Sequence, residues 1–376
     1  MTTTEGQGMA YDTELGYIPD YATPPGDSLR ETLDELGLSQ AEFARRAGLS
    51  TKHVHQLLKG EVSLTEETAH LIERVTGVPG RIWLRLESNY RSRLVALAER
   101  EVLHGAADWV RSLPVSDLVE RGWIAGSTDA PSLAQELLSF FGVASVDIWK
   151  SIWRERLQVE WLRTGGRGQT DETALATWLR TGELLAQRAE VEPFDEAKFR
   201  ASFVEIRRAT RSPRTAVGKV QEICASSGVV LVVTDAFKGS RVSGAARWLG
   251  PGRPLIHLSR RYKRDDSFWF SFFHEAGHVL LHPKKKVYVD DLFEQDQSDI
   301  EFPEREANAF AVRSLLPDVT VKDLRGVATL SDALRLAERV EVAPSVLVGQ
   351  LHYQELKPPS WGRQLIREVI LPDEPS

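Results

Sequence analysis

Residues 268–281 read Phe-Trp-Phe-Ser-Phe-Phe-His-Glu-Ala-Gly-His-Val-Leu-Leu, an apolar segment that carries the pattern His-Glu-x-x-His at 274–278. Residues four apart share one face of a helix, so His274 and His278 point the same way and can bind one metal ion. Glu275 lies beside them and can act as a general base on water. Burying three ionisable side chains among apolar residues is costly unless a partner stabilises them. The segment therefore predicts a metal site with hydrolytic chemistry.

The metal must be bound by histidine and carboxylate ligands. Cys224 is the single cysteine, which excludes a disulfide framework and a cysteine-based zinc site. Two imidazoles and one carboxylate suit zinc, with the fourth position left to water. We expect one zinc ion per chain. The three fixed positions of the pattern also occur by chance in some chains, so the apolar context carries the prediction.

A third ligand is needed, and four downstream glutamates are candidates: Glu294, Glu301, Glu304 and Glu306. Glu304 opens a predicted helix on which Asn308 lies one turn later on the same face, where it could orient a ligated imidazole. Glu306 points about 200° away from Glu304 on that helix, so the two cannot both bind one ion. Spacing alone does not choose among the four.

The His-Glu-x-x-His segment, followed by Glu-Arg-Glu-Ala-Asn-Ala-Phe-Ala at 304–311 and Leu-Leu-Pro at 315–317, resembles the ImmA/IrrE family of metallopeptidases. The resemblance extends over roughly 200–350 and includes the segments 242–249 and 254–259. It implies a gluzincin-like zinc endopeptidase with zinc on His274, His278 and Glu304. Glu275 would be the general base that later protonates the leaving amine. Pro317 comes one residue earlier than in the family pattern, a departure that affects the helix end only.

Other side chains near the motif have less certain roles. A second hydrogen-bond donor to the oxyanion is often present in such sites. The candidates here are Tyr262, His257, Tyr288 and His352. The alternative for each is a surface or packing role. His282 lies four residues after His278 and resembles a further ligand. We favour a structural role for it.

Residues 38–60 follow the rhythm of a helix-turn-helix, with Ala44 small enough for close helix approach, Gly48 in the turn and Leu49 in the core. The helix that begins near Thr51 is then the recognition helix. Glutamine can read adenine, and lysine can contact phosphate or guanine. The residues predicted to contact DNA are Gln40, Ser50, Thr51, Lys52, His53, His55, Gln56 and Lys59.

Residues 22–92 resemble HigA-type antitoxins of the lambda-repressor-like (Xre) class, through segments 24–40 and 66–77 and through Trp83. This resemblance implies a sequence-specific, often dimeric repressor that binds a double-stranded DNA operator. Residues 28–93 hold ten basic and nine acidic side chains, a net charge near +1, which is weak electrostatic support for DNA binding. The alternative is a helical protein-interaction module.

The length of 376 residues predicts two to three domains, at roughly 150 residues per domain. We expect a mostly α fold, with an N-terminal lambda-repressor-like helical bundle and an α+β zincin-like metallopeptidase domain. The predicted intervals are a flexible arm at 1–26, the helix-turn-helix domain at 27–95, a helical linker or interaction region at 96–195, the peptidase domain at 196–357 and a C-terminal tail at 358–376.

Hydrophobic periodicity places the individual elements. Short helices are predicted at 28–36, 40–47, 51–59 and 65–76, with Asp27 or Ser28 as the cap of the first. In the C-terminal part the prediction gives one helix at 197–226, strands at 229–234, 242–249 and 255–258, and helices at 267–281 and 304–315.

The composition excludes several classes of protein. The chain has 47 Lys and Arg against 54 Asp and Glu, so its formal charge of −7 excludes a generally basic DNA-coating protein. The N-terminus has no basic start followed by an apolar core, and no run of eighteen apolar residues occurs. We therefore expect no signal peptide, no membrane span and a cytoplasmic location.

Two hypotheses follow. The first is a DNA-binding regulator with a zinc endopeptidase that cleaves a repressor or antitoxin in a stress, phage or toxin–antitoxin circuit, as the ImmA/IrrE resemblance implies. The alternative is a transcriptional repressor or antitoxin with a structural, non-catalytic metal. Glu275 favours the enzyme, because a structural site needs no base beside an open coordination position. A weaker third hypothesis is a scaffold whose helices at 99–195 bind a partner protein or nucleic acid.

Overall fold

The computed structural model describes residues 21–161, 171–261, 263–284, 287–290 and 302–370. These residues divide into two compact units. One comprises the described part of Met1–Ala107 with Thr128–Ala134, and the other comprises Asp108–Ser127 with the described part of Gln135–Ser376. Helices dominate, and a small mixed sheet lies in the second unit, which confirms the predicted fold class.

The first unit is a helical bundle in which local capping sets the ends of several short helices. Ser39, Ser50 and Thr65 each accept a hydrogen bond from the backbone N–H three residues later. Gly48 and Gly77 end their helices in the left-handed conformation. The helices are α1 Pro25–Glu35, α2 Gln40–Ala47, α3 Thr51–Leu58, α4 Glu66–Thr76 and α5 Gly80–His104.

The core of this bundle is apolar and fully buried, with Phe43, Val54, Ile72 and Trp83 at 2% exposure or less. Helix α1 begins at Pro25, and neither Asp27 nor Ser28 caps it, contrary to our prediction. Proline is well suited to the first helical position because the N–H that it lacks has no partner there. Helix α5 continues without a break across the boundary predicted at 95.

The remaining helices and the sheet belong to the second unit, apart from Ala107 and residues 130–134, which the first unit includes. The helix predicted at 197–226 is wrong as a single element, because the chain forms three helices there and Pro213 lies between the last two. The helices are α6 Ala107–Ser112, α7 Val115–Glu120, α8 Ala130–Phe141, α9 Val146–Trp161, α10 Glu172–Arg188, α11 Glu196–Ala201, α12 Phe203–Ala209, α13 Ala216–Ser226, α14 Asp265–Leu281, α15 Phe302–Leu315, α16 Val321–Arg325, α17 Leu330–Arg339 and α18 Pro344–Tyr353.

The sheet has four strands in the order β1-β3-β2-β4. Strands β1 and β3 are parallel, and β2 is antiparallel to both β3 and β4. The last strand, β4, was not predicted, because three residues are too few for a periodic signal. The strands are β1 Val230–Thr234, β2 Gly244–Trp248, β3 Pro254–Ser259 and β4 Tyr288–Asp290.

The two faces of the sheet bury different elements, because alternate residues of a strand point to opposite faces. Ala246, Ile256 and Leu258 share a large apolar core with helices α14 and α15. Leu255 faces the other way and packs with Ala186 of helix α10. Helix α10 falls in the interval predicted as a linker, yet it covers the back of the sheet and belongs to the second unit.

The C-terminal segment returns to the start of helix α14. The backbone N–H of Asp265 donates to the carbonyl of Arg367 over 3.0 Å, and Arg264 forms an isolated antiparallel β-bridge with Glu368.

Residues 1–20 of the predicted arm and 371–376 of the predicted tail lie outside the described residues. In the described part of the chain, no helix combines the length and the apolar character that crossing a bilayer requires.

Candidate metal centre and recognition helix

The His-Glu-x-x-His segment lies in the buried C-terminal half of helix α14, which packs against strands β2 and β3 and against helix α15. His274, Glu275 and His278 have 0%, 0% and 1% of their surface exposed. His274 and His278 are one turn apart and therefore project from the same face. Their Nε2 atoms are 2.9 Å apart.

Glu304, in the first turn of helix α15, completes a group of three. Its Oε2 atom lies 3.2 Å from His274 Nε2 and 3.4 Å from His278 Nε2. One ligand atom from each residue lies within 4.8 Å of the other two. Glu306 points elsewhere, as its place on the helix predicts, and its Oε2 atom is 3.3 Å from His282 Nε2. Glu294 and Glu301 lie outside the described residues.

Asn308 contacts the other side of the His274 ring, with Oδ1 2.9 Å from Nδ1. An amide oxygen accepts hydrogen bonds only, so this contact places the imidazole proton on Nδ1. The lone pair on Nε2 is then directed at His278 and Glu304, which is the tautomer that a metal ligand requires. Asn308 is thus where an orienting residue would be needed.

These side chains form a donor set that suits zinc. Two imidazole nitrogens and a carboxylate oxygen are the ligands of catalytic zinc sites that keep one position open. Here they converge in a buried region, where lone pairs that face each other repel unless a proton or a cation lies between them. The residues therefore fit a divalent cation.

Glu275 projects from the next position of helix α14 toward strand β2. A Cβ atom added to Gly244 would lie 2.4 Å from Glu275 Oε1 and 2.9 Å from its Cγ. Any larger residue at 244 would occupy the space of the Glu275 side chain. Glycine at this position thus leaves room for the carboxylate, a requirement that our sequence reasoning missed.

Beyond His278 the chain supplies two further rings. The Tyr288 ring stacks on His278 with centroids 4.3 Å apart and planes inclined by 22°. His282 Nδ1 lies 2.8 Å from His278 Nδ1. Burial lowers the pKa of His282, as does the neighbouring His278, whereas Glu306 acts in the opposite direction. His282 therefore connects His278 to Glu306 through side-chain contacts.

The other oxyanion candidates lie in different surroundings. His257 is on the face of β3 that is turned away from α14, where it stacks on Trp178 at 3.6 Å. His352 Nε2 donates to the carbonyl of Trp361 over 2.8 Å. Tyr262 lies outside the described residues. His257 and His352 thus have other partners, and of the three candidates that the structure describes, Tyr288 is the one that contacts a motif histidine.

Two more residues near the motif were not predicted. Gly277 lies where helices α14 and α15 cross, and a Cβ there would be 3.1 Å from the Phe310 ring and 3.3 Å from Ala307 Cα. Tyr353 packs on Phe270, with ring centroids 5.3 Å apart, and burial raises its pKa. No sequence pattern marks either residue, because the importance of each depends on a contact with a residue from a distant segment.

In the first unit, helix α3 presents the predicted recognition surface. Val54, Leu57 and Leu58 are buried in the bundle. Ser50 caps the helix by accepting a hydrogen bond from the His53 N–H over 3.1 Å. Six of the eight predicted DNA-contacting residues are exposed and two, His53 and Gln56, are half-buried; the exposed six are Gln40, Ser50, Thr51, Lys52, His55 and Lys59.

A solved structure resembles part of the chain. It is the antidote protein, as its description names it, of a plasmid maintenance system from Nostoc punctiforme. The two chains are 24% identical, the match covers 23% of this chain and 93% of the other, and the TM-score is 0.22. A likeness of this strength does not inform function.

Two regions match known families. Residues 29–83 match the helix-turn-helix family, and residues 224–352 match the IrrE N-terminal-like domain of the M78 peptidases. The HTH-type transcriptional regulator YddM of Escherichia coli K12 is 38% identical over 77 residues, which cover 20% of this chain and 77% of YddM. The chain therefore belongs to the Xre-like helix-turn-helix family through its N-terminal domain and carries an IrrE/ImmA-like M78 peptidase domain in its C-terminal part.

Proposed function

We propose that this chain is a DNA-binding regulator whose C-terminal domain is a zinc-dependent endopeptidase of the gluzincin type. Its substrate would be a repressor or antitoxin in a stress, phage or toxin–antitoxin circuit. The observation that carries the proposal is the convergence of His274, His278 and Glu304 within 4.8 Å, with the Glu275 carboxylate on the same buried helix. The M78 peptidase match supports it.

The chain's own residues divide the work of peptide hydrolysis. Zinc held by His274, His278 and Glu304 would supply Lewis-acid activation of water and of the scissile carbonyl. Glu275 would take the proton from the attacking water and pass it to the leaving amine. Asn308 would hold the His274 ring in the tautomer whose unprotonated Nε2 faces the metal site.

The helix-turn-helix domain would bring this activity to an operator. We propose that helix α3 enters the major groove of double-stranded DNA, with Lys52 and Gln56 among the contacting residues. A homodimer would place two such helices on a two-fold related site. Such a regulator would work in the cytoplasm.

The decisive experiment compares the wild-type chain with Glu275→Gln in cells of the source organism. New protein N-termini would be labelled and identified, and the zinc content of both purified chains measured. We expect one zinc per chain in both, and cleavage of a DNA-binding repressor or antitoxin by the wild type alone. The same new N-termini in the variant would exclude Glu275 as the base.

A structural metal gives a different result. In that case the chain would hold one zinc, no N-terminus would depend on Glu275, and only DNA binding would remain. That outcome would support the alternative of a repressor or antitoxin with a non-catalytic metal.

A further inference from the structure

Three side chains in successive contact lead from the candidate metal ligand His278 to the protein surface. His278 Nδ1 lies 2.8 Å from His282 Nδ1, and His282 Nε2 lies 3.3 Å from Glu306 Oε2. The His282 side chain is 5% exposed and that of Glu306 is 41% exposed. The three residues come from helix α14, from the residue that follows it and from helix α15.

The backbone holds His282 in place for this contact. Helix α14 ends at Leu281, and His282 adopts an extended conformation with φ −113° and ψ 162°. Its backbone N–H still donates to the carbonyl of His278 over 3.2 Å. The His282 side chain therefore lies beside the His278 imidazole, one turn earlier, although the backbone leaves the helix toward Lys284.

One arrangement of protons satisfies both hydrogen bonds among these three side chains. If His278 binds a metal through Nε2, its proton is on Nδ1 and can be donated to His282 Nδ1. His282 must then carry its own proton on Nε2, which faces the Glu306 carboxylate. A carboxylate accepts but does not donate when ionised, so it sets the direction of both hydrogen bonds.

We propose that His282 and Glu306 are positioning residues that fix the tautomer and ring orientation of His278 for metal binding. This inference rests on the proposed metal site. It gives His278 the same kind of support that Asn308 gives His274, where Oδ1 is 2.9 Å from Nδ1. Each imidazole is thereby oriented by a hydrogen bond at Nδ1, the nitrogen on the side of the ring away from the metal site. Residues of this kind typically change metal affinity 10–100-fold when removed.

A purely structural role for His282 is the competing explanation. His282 also packs against Tyr288, with ring centroids 5.3 Å apart, so its removal could act through lost packing. Asparagine separates the two roles, because its side-chain oxygen can accept a hydrogen bond close to where His282 Nδ1 does. Asparagine lacks the ring that packs on Tyr288.

The test measures zinc affinity of the full chain by competition with a chromogenic chelator, and the absorption spectrum of the cobalt-substituted protein. The variants are His282→Ala, His282→Asn and Glu306→Gln, with His352→Ala as a control histidine on helix α18. We expect His282→Ala to weaken zinc binding 10–100-fold and to change the cobalt spectrum. His282→Asn should recover most of the affinity, and Glu306→Gln should cost less than His282→Ala.

Each result decides one point. Wild-type affinity in His282→Ala, or equal losses in His282→Ala and His282→Asn, would overturn the positioning role. The thermal unfolding of the metal-free variants shows whether the fold is kept, and a loss confined to the metal-bound protein supports the proposal. If the wild type binds no zinc, the proposed function itself fails, and that result is recognised before any variant is compared.

Discussion

Gly244 of strand β2 and Glu275 of helix α14 are in direct contact, and this contact depends on the absence of a side chain at position 244. A Cβ atom there would lie 2.4 Å from Glu275 Oε1. Cβ atoms in proteins essentially never lie within 3.0 Å of a heavy atom outside their own residue and its chain neighbours. The position of the proposed base is thus set by a residue from a different element of secondary structure.

The first prediction is that Gly244→Ala disables catalysis without removing the metal. The methyl group must displace the Glu275 carboxylate, while His274, His278 and Glu304 keep their places. We expect proteolysis to fall at least tenfold and the zinc content to stay at one per chain. The measurement is cleavage of the identified substrate together with zinc analysis.

Gly250→Ala is the matched control, because a Cβ at Gly250 has no heavy atom within 4 Å. It changes the same residue type in the turn that follows the same strand. Equal losses of proteolysis in both variants would mean that Gly244 acts through its backbone conformation and not through its contact with Glu275.

The second prediction distinguishes the glutamates of helix α15. Glu304→Ala should abolish zinc binding, because it removes a ligand atom 3.2 Å and 3.4 Å from the two imidazoles. Glu306→Ala should keep stoichiometric zinc and lose at most the affinity that orienting residues supply. Metal content after gel filtration measures both. Zinc lost from the second variant and kept in the first would mean that the ligands were assigned the wrong way round.

Elements with local signals were predictable from the sequence. Helices α2 and α3 were placed within one residue, because serine caps and a left-handed glycine mark their ends in the sequence itself. The spacing of the two histidines likewise follows from helix geometry alone. The sequence alone therefore predicts that residues 274–278 lie on one helix.

The surroundings of the motif could not be predicted in the same way. Strand β4 pairs with β2, and its Tyr288 packs on His278; both contacts exist only after the chain has turned back on itself. The link between His282 and Glu306 spans 24 residues and two helices. The role of Gly244 depends on a neighbour 31 positions away in sequence. Such relationships arise from tertiary packing and leave no period or cap in the sequence.

The third prediction concerns helix α3. Replacing Lys52 and Gln56 together with alanine should weaken binding to a duplex selected by the wild-type chain from a random library, by about tenfold or more, since a lost base contact costs about 1–3 kcal/mol. Peptidase activity should not change, because both residues lie in the first unit. Fluorescence anisotropy gives the affinity.

Arg85→Ala with Asn89→Ala is the matched control on helix α5. It removes one cation and one amide at the same four-residue spacing from exposed positions. If this pair weakens binding as much as the first, the recognition helix is assigned wrongly.

The last prediction follows from His257, which is buried on the back face of the sheet against Trp178. Burial, and after it the charge of Arg247, holds the pKa of His257 well below its usual value of 6.5. The folded state therefore keeps this imidazole neutral while the unfolded chain takes up a proton as the pH falls. The stability that His257 contributes is present above pH 6.5 and is lost on acidification below it.

One such group lowers the free energy of unfolding by about 1.4 kcal/mol per pH unit below its unfolded pKa. We therefore expect the wild type to lose about 1.4 kcal/mol more than His257→Phe between pH 7.5 and pH 5.5. Phenylalanine keeps a ring against Trp178 and cannot titrate, so all other groups contribute equally to both proteins. Urea unfolding of the C-terminal unit at the two pH values measures the difference. Parallel losses in the two proteins would show that His257 is protonated in the folded state, and burial would then not be the factor that controls its charge.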